Sequence, residues 1–176
     1  MKPLDRPAEP DPSGRSAADL NAACIRALYA ALERHDAVAA TACFADDAAF
    51  EDIGFRLKGR PAIGRMWDMV CSAKDFRAEH DPADIGSDAV SGTGIWIAHY
   101  APLMAGSKAA EVRNRSVSTF RFRTPGTISS QTDDADPRAW ADMAFAYPVS
   151  VLVGNVEFVR RLLAGAKLAF HRPRKP

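Results

Sequence analysis

Asp52 is the residue of this sequence with the clearest chemical potential. It ends the run from Phe44 to Asp52, and if Phe50 and Asp52 share one face of a strand, its carboxylate lies beside an aromatic ring. Removal from water raises the pKa of an aspartate above its usual value of about 4, which makes it a better proton acceptor near neutral pH. The alternative is that Asp52 caps a turn before Gly54 or pairs with an arginine such as Arg60, and spacing alone favours that alternative.

A second chemical feature is the run 111–123, in which charge alternates with a period of two. Its odd positions include Arg113, Arg115, Arg121 and Arg123, and its even positions are Val112, Asn114, Ser116, Ser118, Phe120 and Phe122. Successive strand side chains point to opposite faces, so the even positions should face inward. Burial of an amide or hydroxyl without a partner costs about 1–3 kcal/mol, so three consecutive inward polar residues favour a cavity wall with an apolar floor. The alternative is that water or neighbouring strands satisfy them.

His99 and Trp67 each allow two interpretations. If the odd positions of its strand face the core, His99 is a candidate acid; if the even positions do, it is a surface residue. Trp67 lies on the apolar stripe of a predicted helix, where packing is favoured over stacking on a ligand.

The acidic run 133–136 could bind a divalent metal or cap a helix. The helix cap is favoured, because Asp136 precedes Pro137. We therefore predict no metal or other cofactor.

Composition restricts the class of protein. The chain has 176 residues, 47% of them hydrophobic and 26% charged, with a formal net charge of +1, which fits one soluble domain and gives no electrostatic case for nucleic acid. Three cysteines fit buried thiols in a reducing compartment, so we expect a cytoplasmic protein. The longest apolar stretch, 143–154, is shorter than the roughly 20 residues of a membrane span. Residues 1–15 contain four prolines and are predicted to be a disordered arm rather than a signal peptide.

The periodicity predicts helices first and strands afterwards. A capping box at Ser16 opens a helix to about His35, Asp36 caps a shorter helix ending near Phe44, and Pro61 begins a third helix. Strands are predicted over 48–53, 76–85, 89–100, 109–123 and 127–133. A helix follows over 138–147 and another from Asn155, with a frayed end over residues 171–176. The apolar stripe of that last helix is Val159, Leu162, Leu163, Ala166 and Phe170.

The runs 28–36 and 43–52 resemble the start of the nuclear transport factor 2-like superfamily, which includes ketosteroid isomerases and SnoaL-like polyketide cyclases. The resemblance covers roughly residues 17–147 and places Asp52 on the isomerase general base. It implies an α+β cone, in which a curved, mostly antiparallel sheet packs against N-terminal helices, with additional C-terminal helices. The implied organisation is a SnoaL-like domain over 16–147 and a helical extension over 148–176.

The sequence departs from the isomerases at their oxyanion hole. Those enzymes use a tyrosine and a protonated aspartate. Here Ser118 stands at the position of that aspartate, and Leu28 stands at the position of the tyrosine, with Tyr29 one residue round the helix. Removal of one oxyanion donor lowers the rate on the order of a hundredfold or more. Steroid isomerisation by that mechanism is therefore not expected.

The second half of the chain is closer to the broad SnoaL-like group of bacterial proteins. Asn114 matches the inward asparagine of that group, and Trp140 matches the tryptophan of its last helix. The run 126–136 matches its I-x-x-H-x-D-x-x-D pattern with Gln131 in place of the histidine, so a proton shuttle through imidazole is in doubt. Asp133 lies two residues on and shares the strand face of Gln131.

Together these features predict a small-molecule protein, with an acid–base isomerase, cyclase or lyase as the leading hypothesis and Asp52 or Asp133 as the base. The substrate would be apolar and carbonyl-bearing, for example polyketide-like or steroid-like. Predicted substrate-binding residues are Tyr29, Trp67, His99, Asn114, Ser116, Ser118, Phe120 and Gln131. One alternative is a non-catalytic ligand-binding or dimerisation module, and another is a protein whose arginine-rich sheet exterior meets an acidic partner. A homodimer formed through the sheet is expected from the resemblance.

Overall fold

The computed structural model describes residues 14–171. Most of the predicted disordered arm, residues 1–13, lies outside the described residues, as does the predicted frayed end apart from His171. Within the described part of the chain, no helix is both long enough and apolar enough to cross a membrane.

The described residues form six α-helices, five of which the sequence predicts. They are α1 (Ala17–Glu33), α2 (Ala37–Ala42), α3 (Arg60–Ser72), α4 (Pro137–Ala144), α5 (Val149–Asn155) and α6 (Glu157–Phe170). Ser16 and Asp19 form the predicted capping box of α1, Asp36 caps α2, and the Asp136 carboxylate accepts from two backbone N–H groups at the start of α4. Each carboxylate or hydroxyl satisfies N–H groups that a helix start leaves without partners.

Seven strands form one curved, unclosed sheet, in the order β2-β1-β7-β6-β5-β3, with β4 paired to β5. They are β1 (Phe44–Glu51), β2 (Arg56–Lys58), β3 (Arg77–His80), β4 (Gly86–Ser87), β5 (Ser91–Tyr100), β6 (Val112–Thr124) and β7 (Thr127–Asp134). The β1–β7 pair is parallel and the other pairs are antiparallel. This arrangement confirms the predicted α+β cone.

The alternation along β6 is confirmed. Its even positions from Val112 to Phe122 are buried or half-buried, and its odd positions from Arg113 to Arg123 are exposed. On the neighbouring strand β5 the buried inward positions are also even, since Trp96 pairs with Ser116 and Ala98 pairs with Asn114. This parity fixes the direction of every side chain on the two longest strands.

The core lies between α1, α3 and the inner face of the sheet. Its largest fully buried side chains include Ile25, Leu28, Tyr29, Leu32, Phe44, Phe50, Ile63, Met66, Trp67, Phe120 and Ile128. A β-carbon at Gly94 would lie 2.7 Å from the Tyr29 hydroxyl, so α1 can approach β5 this closely only because position 94 is a glycine.

Several elements differ from the sequence prediction, among them the short strands β2 and β4, which the sequence did not predict. β1 begins at Phe44 rather than at residue 48, because the Phe44 segment already pairs with β7 at Ile128. The predicted strand 76–85 is interrupted by a 3₁₀ turn at Pro82–Asp84. The helix α5 was not predicted, and it ends where the last helix was expected to begin.

Candidate functional site

A cavity of about 620 Å³ opens between α3, the inner face of the sheet and α6. Its wall is mainly apolar and includes Phe50, Phe55, Met66, Trp67, Met69, Phe76, Trp96, Ala98, Phe145 and Leu163. The volume lies within the range of small-molecule sites, about 300–1,000 Å³. The polar groups on the wall are few, as in a site that orients an apolar ligand.

Asp52 lines this cavity at the end of β1 and also caps the following turn. The predicted carboxylate in an apolar setting and the predicted turn cap therefore both describe it. Its Oδ1 accepts hydrogen bonds from the backbone N–H groups of Gly54, at 2.7 Å, and Phe55. Its Oδ2 has no hydrogen-bond partner within residues 14–171, and the predicted alternative partner Arg60 pairs with Asp46 instead. Burial of the carboxyl group raises the pKa of Asp52 to about 6, despite the two backbone donors.

Asp133 on β7 also contributes to the wall, and donors surround its carboxylate. Oδ1 accepts from the Ser118 hydroxyl at 2.6 Å and from the Gln131 amide at 2.8 Å, while Oδ2 accepts from the Trp96 indole at 3.3 Å. Burial raises the pKa of Asp133, and the three donors oppose that rise because they favour the charged form. The charge of Asp133 in turn contributes to the raised pKa of Asp52.

Asn114 and Ser116 stand side by side on the cavity face of β6. Neither side chain has a hydrogen-bond partner among residues 14–171, so both retain donors and acceptors for a ligand. Trp67 also lines the cavity, with its ring edge-to-face with Phe50 at 5.6 Å and with Trp96 at 6.1 Å. Its indole N–H is buried and has no acceptor within the described chain.

Five predicted binding residues do not line the cavity. Ser118 and Gln131 lie behind the wall, where they hold Asp133. Tyr29 and Phe120 belong to the core, with their rings edge-to-face at 6.2 Å. The Tyr29 hydroxyl lies beside Ser118 but makes no hydrogen bond of normal geometry.

His99 lies on the opposite face of the sheet, because the even positions of β5 face the core. Its two ring nitrogens contact Glu79 and Glu111, each at 3.0 Å. This placement excludes direct contact with the cavity, so His99 is not part of the candidate site.

The pair Tyr100 and Trp140 was missing from the predicted site. Both line the cavity, and the Trp140 indole donates a 2.6 Å hydrogen bond to the Tyr100 hydroxyl. Burial raises the pKa of Tyr100 to about 12, so the phenol keeps its proton at neutral pH. The parity of β5 would have identified Tyr100, since it shares a face with Trp96 and Ala98.

The helix α6 supplies the other missed part of the wall, through Arg160, Leu163, Ala164 and Lys167. Arg160 donates to the carbonyl oxygens of Ile53, Val153 and Gly154 at 3.0–3.1 Å. No sequence signal placed this helix over the cavity. Among residues 14–171, no group of three or more His, Cys, Asp or Glu side chains is arranged to hold a metal ion.

The curved sheet and the N-terminal helices define a nuclear transport factor 2-like fold, and an apolar cavity opens on the inner face of the sheet. Residues 25–131 match the model of the SnoaL-like domain, and the chain belongs to this family. No curated protein matches the chain by sequence.

Solved structures support the fold assignment. Bal32a from a soil-derived mobile gene cassette aligns with a TM-score of 0.61 and 21% identity, over 74% of this chain and 100% of that one. A candidate polyketide cyclase from Xanthomonas campestris pv. campestris aligns with a TM-score of 0.54 and 20% identity, over 78% of this chain and 97% of that one. An LEH-like epoxide hydrolase from M. tuberculosis aligns with a TM-score of 0.55 and 18% identity, over 85% of this chain and 96% of that one. At these identities the likeness concerns the fold alone.

Proposed function

We propose that this protein is an acid–base enzyme of the isomerase, cyclase or lyase type, acting on an apolar, carbonyl-bearing small molecule. One observation carries the proposal: the Asp52 carboxylate, with a pKa raised to about 6, lies in the wall of an apolar cavity and has one oxygen without a hydrogen-bond partner in residues 14–171. A carboxylate that titrates near neutral pH combines the basicity and the charge state that proton abstraction requires.

In the proposed step, Asp52 Oδ2 removes a proton from the carbon next to the carbonyl. The electrons of the broken C–H bond form the enolate, whose negative charge moves to the carbonyl oxygen. Protonated Asp52 then returns the proton to the same or another carbon, so no other reactant is consumed. Asp52 is a better candidate base than Asp133, since donors already occupy both oxygens of Asp133.

Tyr100 and Asn114 are the proposed donors to the enolate oxygen. The Tyr100 hydroxyl accepts from Trp140, which leaves its own proton for a ligand, and the accepted bond makes that proton a better donor. The Asn114 amide offers two further N–H donors on the adjacent strand face. Ser116 and the Trp67 indole are proposed to bind other oxygens of the ligand, while the aromatic wall binds its apolar part.

The test is exchange of α-protons in deuterated water, followed by NMR over a panel of aryl and alicyclic ketones. The proposal expects exchange that depends on the wild-type protein, saturates with ketone and falls at least a hundredfold in Asp52→Asn. Asp134→Asn, on the exposed face of the same sheet, is the matched control and should exchange at the wild-type rate. Equal exchange by Asp52→Asn and the wild type would refute Asp52 as the base.

A second candidate function is non-catalytic binding of the same class of ligand. It is favoured by Gln131, which replaces the histidine of the family pattern and donates to Asp133 from behind the wall. In that case Asp52→Asn would bind an apolar ketone as the wild type does, and neither protein would exchange its protons.

We also propose that two copies associate through the exterior of the sheet and that the protein acts in the cytoplasm. The exposed face of β6 supports the association of two copies, because the apolar side chain of Val117 is exposed there between Arg115 and Thr119. Support for the cytoplasmic location comes from Cys24 and Cys43, whose thiols form no disulfide within residues 14–171.

A further inference from the structure

The helix α6 packs on the domain with the face opposite to the one that its sequence predicts. Two members of the predicted apolar stripe point to solvent, since Leu162 is 60% exposed and Phe170 is 87% exposed, and Phe158 beside the stripe is 73% exposed. These side chains are spaced by four and eight residues and therefore lie on one side of the helix, as a row. The exposed side chains of Val151 and Leu152 on α5 add to the same terminal surface.

The opposite row of α6 fixes the helix to the domain with small and polar contacts. Ala164 packs closely against Gly54, since a β-carbon added at position 54 would lie 3.2 Å from the Ala164 β-carbon. Leu168 packs against the core. Arg161 bonds to Glu51 at 2.9 Å, and His171 bonds to Asp68 at 2.7 Å. These contacts lock the orientation of the helix, so the exposed row is the helix face left over for a partner.

The charge around this row identifies the partner. Of the six lysines and arginines in residues 157–176, Arg160 and Arg161 bond to the domain and four cations remain, against one acid, Glu157, whereas the whole chain has a net charge of only +1. Lys167 lies within α6, and Arg172, Arg174 and Lys175 follow its end. A second copy of the same surface would bring equal charges together, whereas an anionic bilayer carries the opposite charge. The undescribed segment 1–13 offers only Met1 and Leu4 as large apolar side chains, too few to cover the row.

We propose that α6 is an interfacial membrane helix, which lies flat on an anionic lipid surface with Phe158, Leu162 and Phe170 inserted among the acyl chains. An apolar row with flanking cations is the composition of such helices. Leu163 belongs to this exposed surface and also lines the cavity, so the proposed membrane contact borders the cavity wall. This inference concerns a surface and is independent of the reaction proposed for Asp52.

The test is co-sedimentation of the full chain with phosphatidylcholine vesicles, prepared with or without phosphatidylglycerol. The wild type should bind the anionic vesicles at least tenfold more tightly than the neutral ones, and added salt should weaken that binding. Phe158→Gln/Leu162→Gln/Phe170→Gln should lower the affinity about tenfold or more. The matched control, Val38→Gln/Val90→Gln, removes exposed apolar side chains elsewhere and should bind as the wild type does.

A variant that leaves the helix face intact gives an independent check. Arg172→Gln/Arg174→Gln/Lys175→Gln should reduce binding to anionic vesicles by about fivefold per cation and leave binding to neutral vesicles unchanged. Wild-type protein that stays in the supernatant with both kinds of vesicle would overturn the proposal. So would an Arg/Lys variant and an apolar-row variant that both bind as the wild type does. Sedimentation velocity shows whether the row pairs two copies instead, since the apolar-row variant would then turn a dimer into a monomer without any vesicle binding.

Discussion

The Trp140 indole nitrogen donates a 2.6 Å hydrogen bond to the Tyr100 hydroxyl in the wall of the cavity. The bond joins α4 to the last residue of β5, which are 40 residues apart. It occupies a lone pair of the phenol and leaves the phenol proton without an acceptor among residues 14–171. This pair is therefore a donor that the folded protein has already oriented.

We expect Tyr100→Phe to lower α-proton exchange on the order of tenfold to a hundredfold, because it removes one proposed donor to the enolate oxygen. The matched control is Tyr29→Phe, which removes a buried hydroxyl that lies outside the cavity and has no hydrogen-bond partner within residues 14–171. That variant should keep its activity and be as stable as the wild type or more stable. The measurements are NMR exchange rates and urea unfolding. Equal rates for the wild type and Tyr100→Phe would remove Tyr100 from the mechanism.

The raised pKa of Asp52 makes stability depend on pH in a defined direction. Between about pH 4 and pH 6, the folded protein binds more protons at Asp52 than the unfolded chain does, so this residue lowers the free energy of unfolding as pH rises through that range. Asp52→Asn removes the buried charge and keeps a side-chain oxygen for the Gly54 and Phe55 N–H groups. It should be more stable than the wild type by up to about 2–3 kcal/mol near pH 8 and by little near pH 4.

Urea unfolding at several pH values measures this difference. Asp142→Asn, at an exposed position of α4, is the control and should follow the wild type at each pH. A constant difference between Asp52→Asn and the wild type from about pH 4 to pH 8 would contradict a raised pKa at Asp52.

The hydrogen bond from Ser118 to Asp133 should also be visible in stability. Ser118→Ala removes a 2.6 Å donor to a buried carboxylate, which costs about 1.5–3 kcal/mol when Asp133 is charged. The variant should raise the pKa of Asp133 further, so the loss should be larger at alkaline than at acidic pH. Ser129→Ala is the control, because Ser129 donates to the Arg121 carbonyl near the surface and its loss should not depend on pH. Identical pH profiles for the two variants would argue against a charged Asp133.

The close approach of α1 to β5 predicts a strong effect at Gly94. Gly94→Ala places a β-carbon 2.7 Å from the Tyr29 hydroxyl and should destabilise the fold by about 1–3 kcal/mol. Tyr29→Phe removes the contacting oxygen, so the double variant should recover part of the loss, and a double-mutant cycle measures that coupling. Gly165→Ala on α6 meets open space and should be neutral or slightly stabilising. Additive effects of Gly94→Ala and Tyr29→Phe would show that the contact is not the cause.

The sequence alone determined the fold class and the face of each residue on β6. Caps such as Ser16 and Asp36 act within a few residues, and alternation on a strand has a fixed period of two, so both are visible in the order of residues. The resemblance extended this local information to the whole cone and placed Asp52 next to the cavity that the polar row of β6 predicts. The division of the chain at residue 147 stays a prediction.

Only the tertiary structure decided which polar residues face the cavity and which support it. Ser118 and Gln131 share strand faces with cavity residues, but the curvature of the sheet places them behind Asp133. The placement of His99 depended on which positions of β5, odd or even, face the core. The pairing of β5 with β6 determines this, whereas the composition of β5 does not. The orientation of α6 could not be predicted from the sequence either. An apolar stripe shows that one face of a helix favours burial, but it does not identify the surface that buries it. Asp52 was predictable because its setting is local, whereas Tyr100 and Trp140 become a pair only when α4 folds onto the sheet.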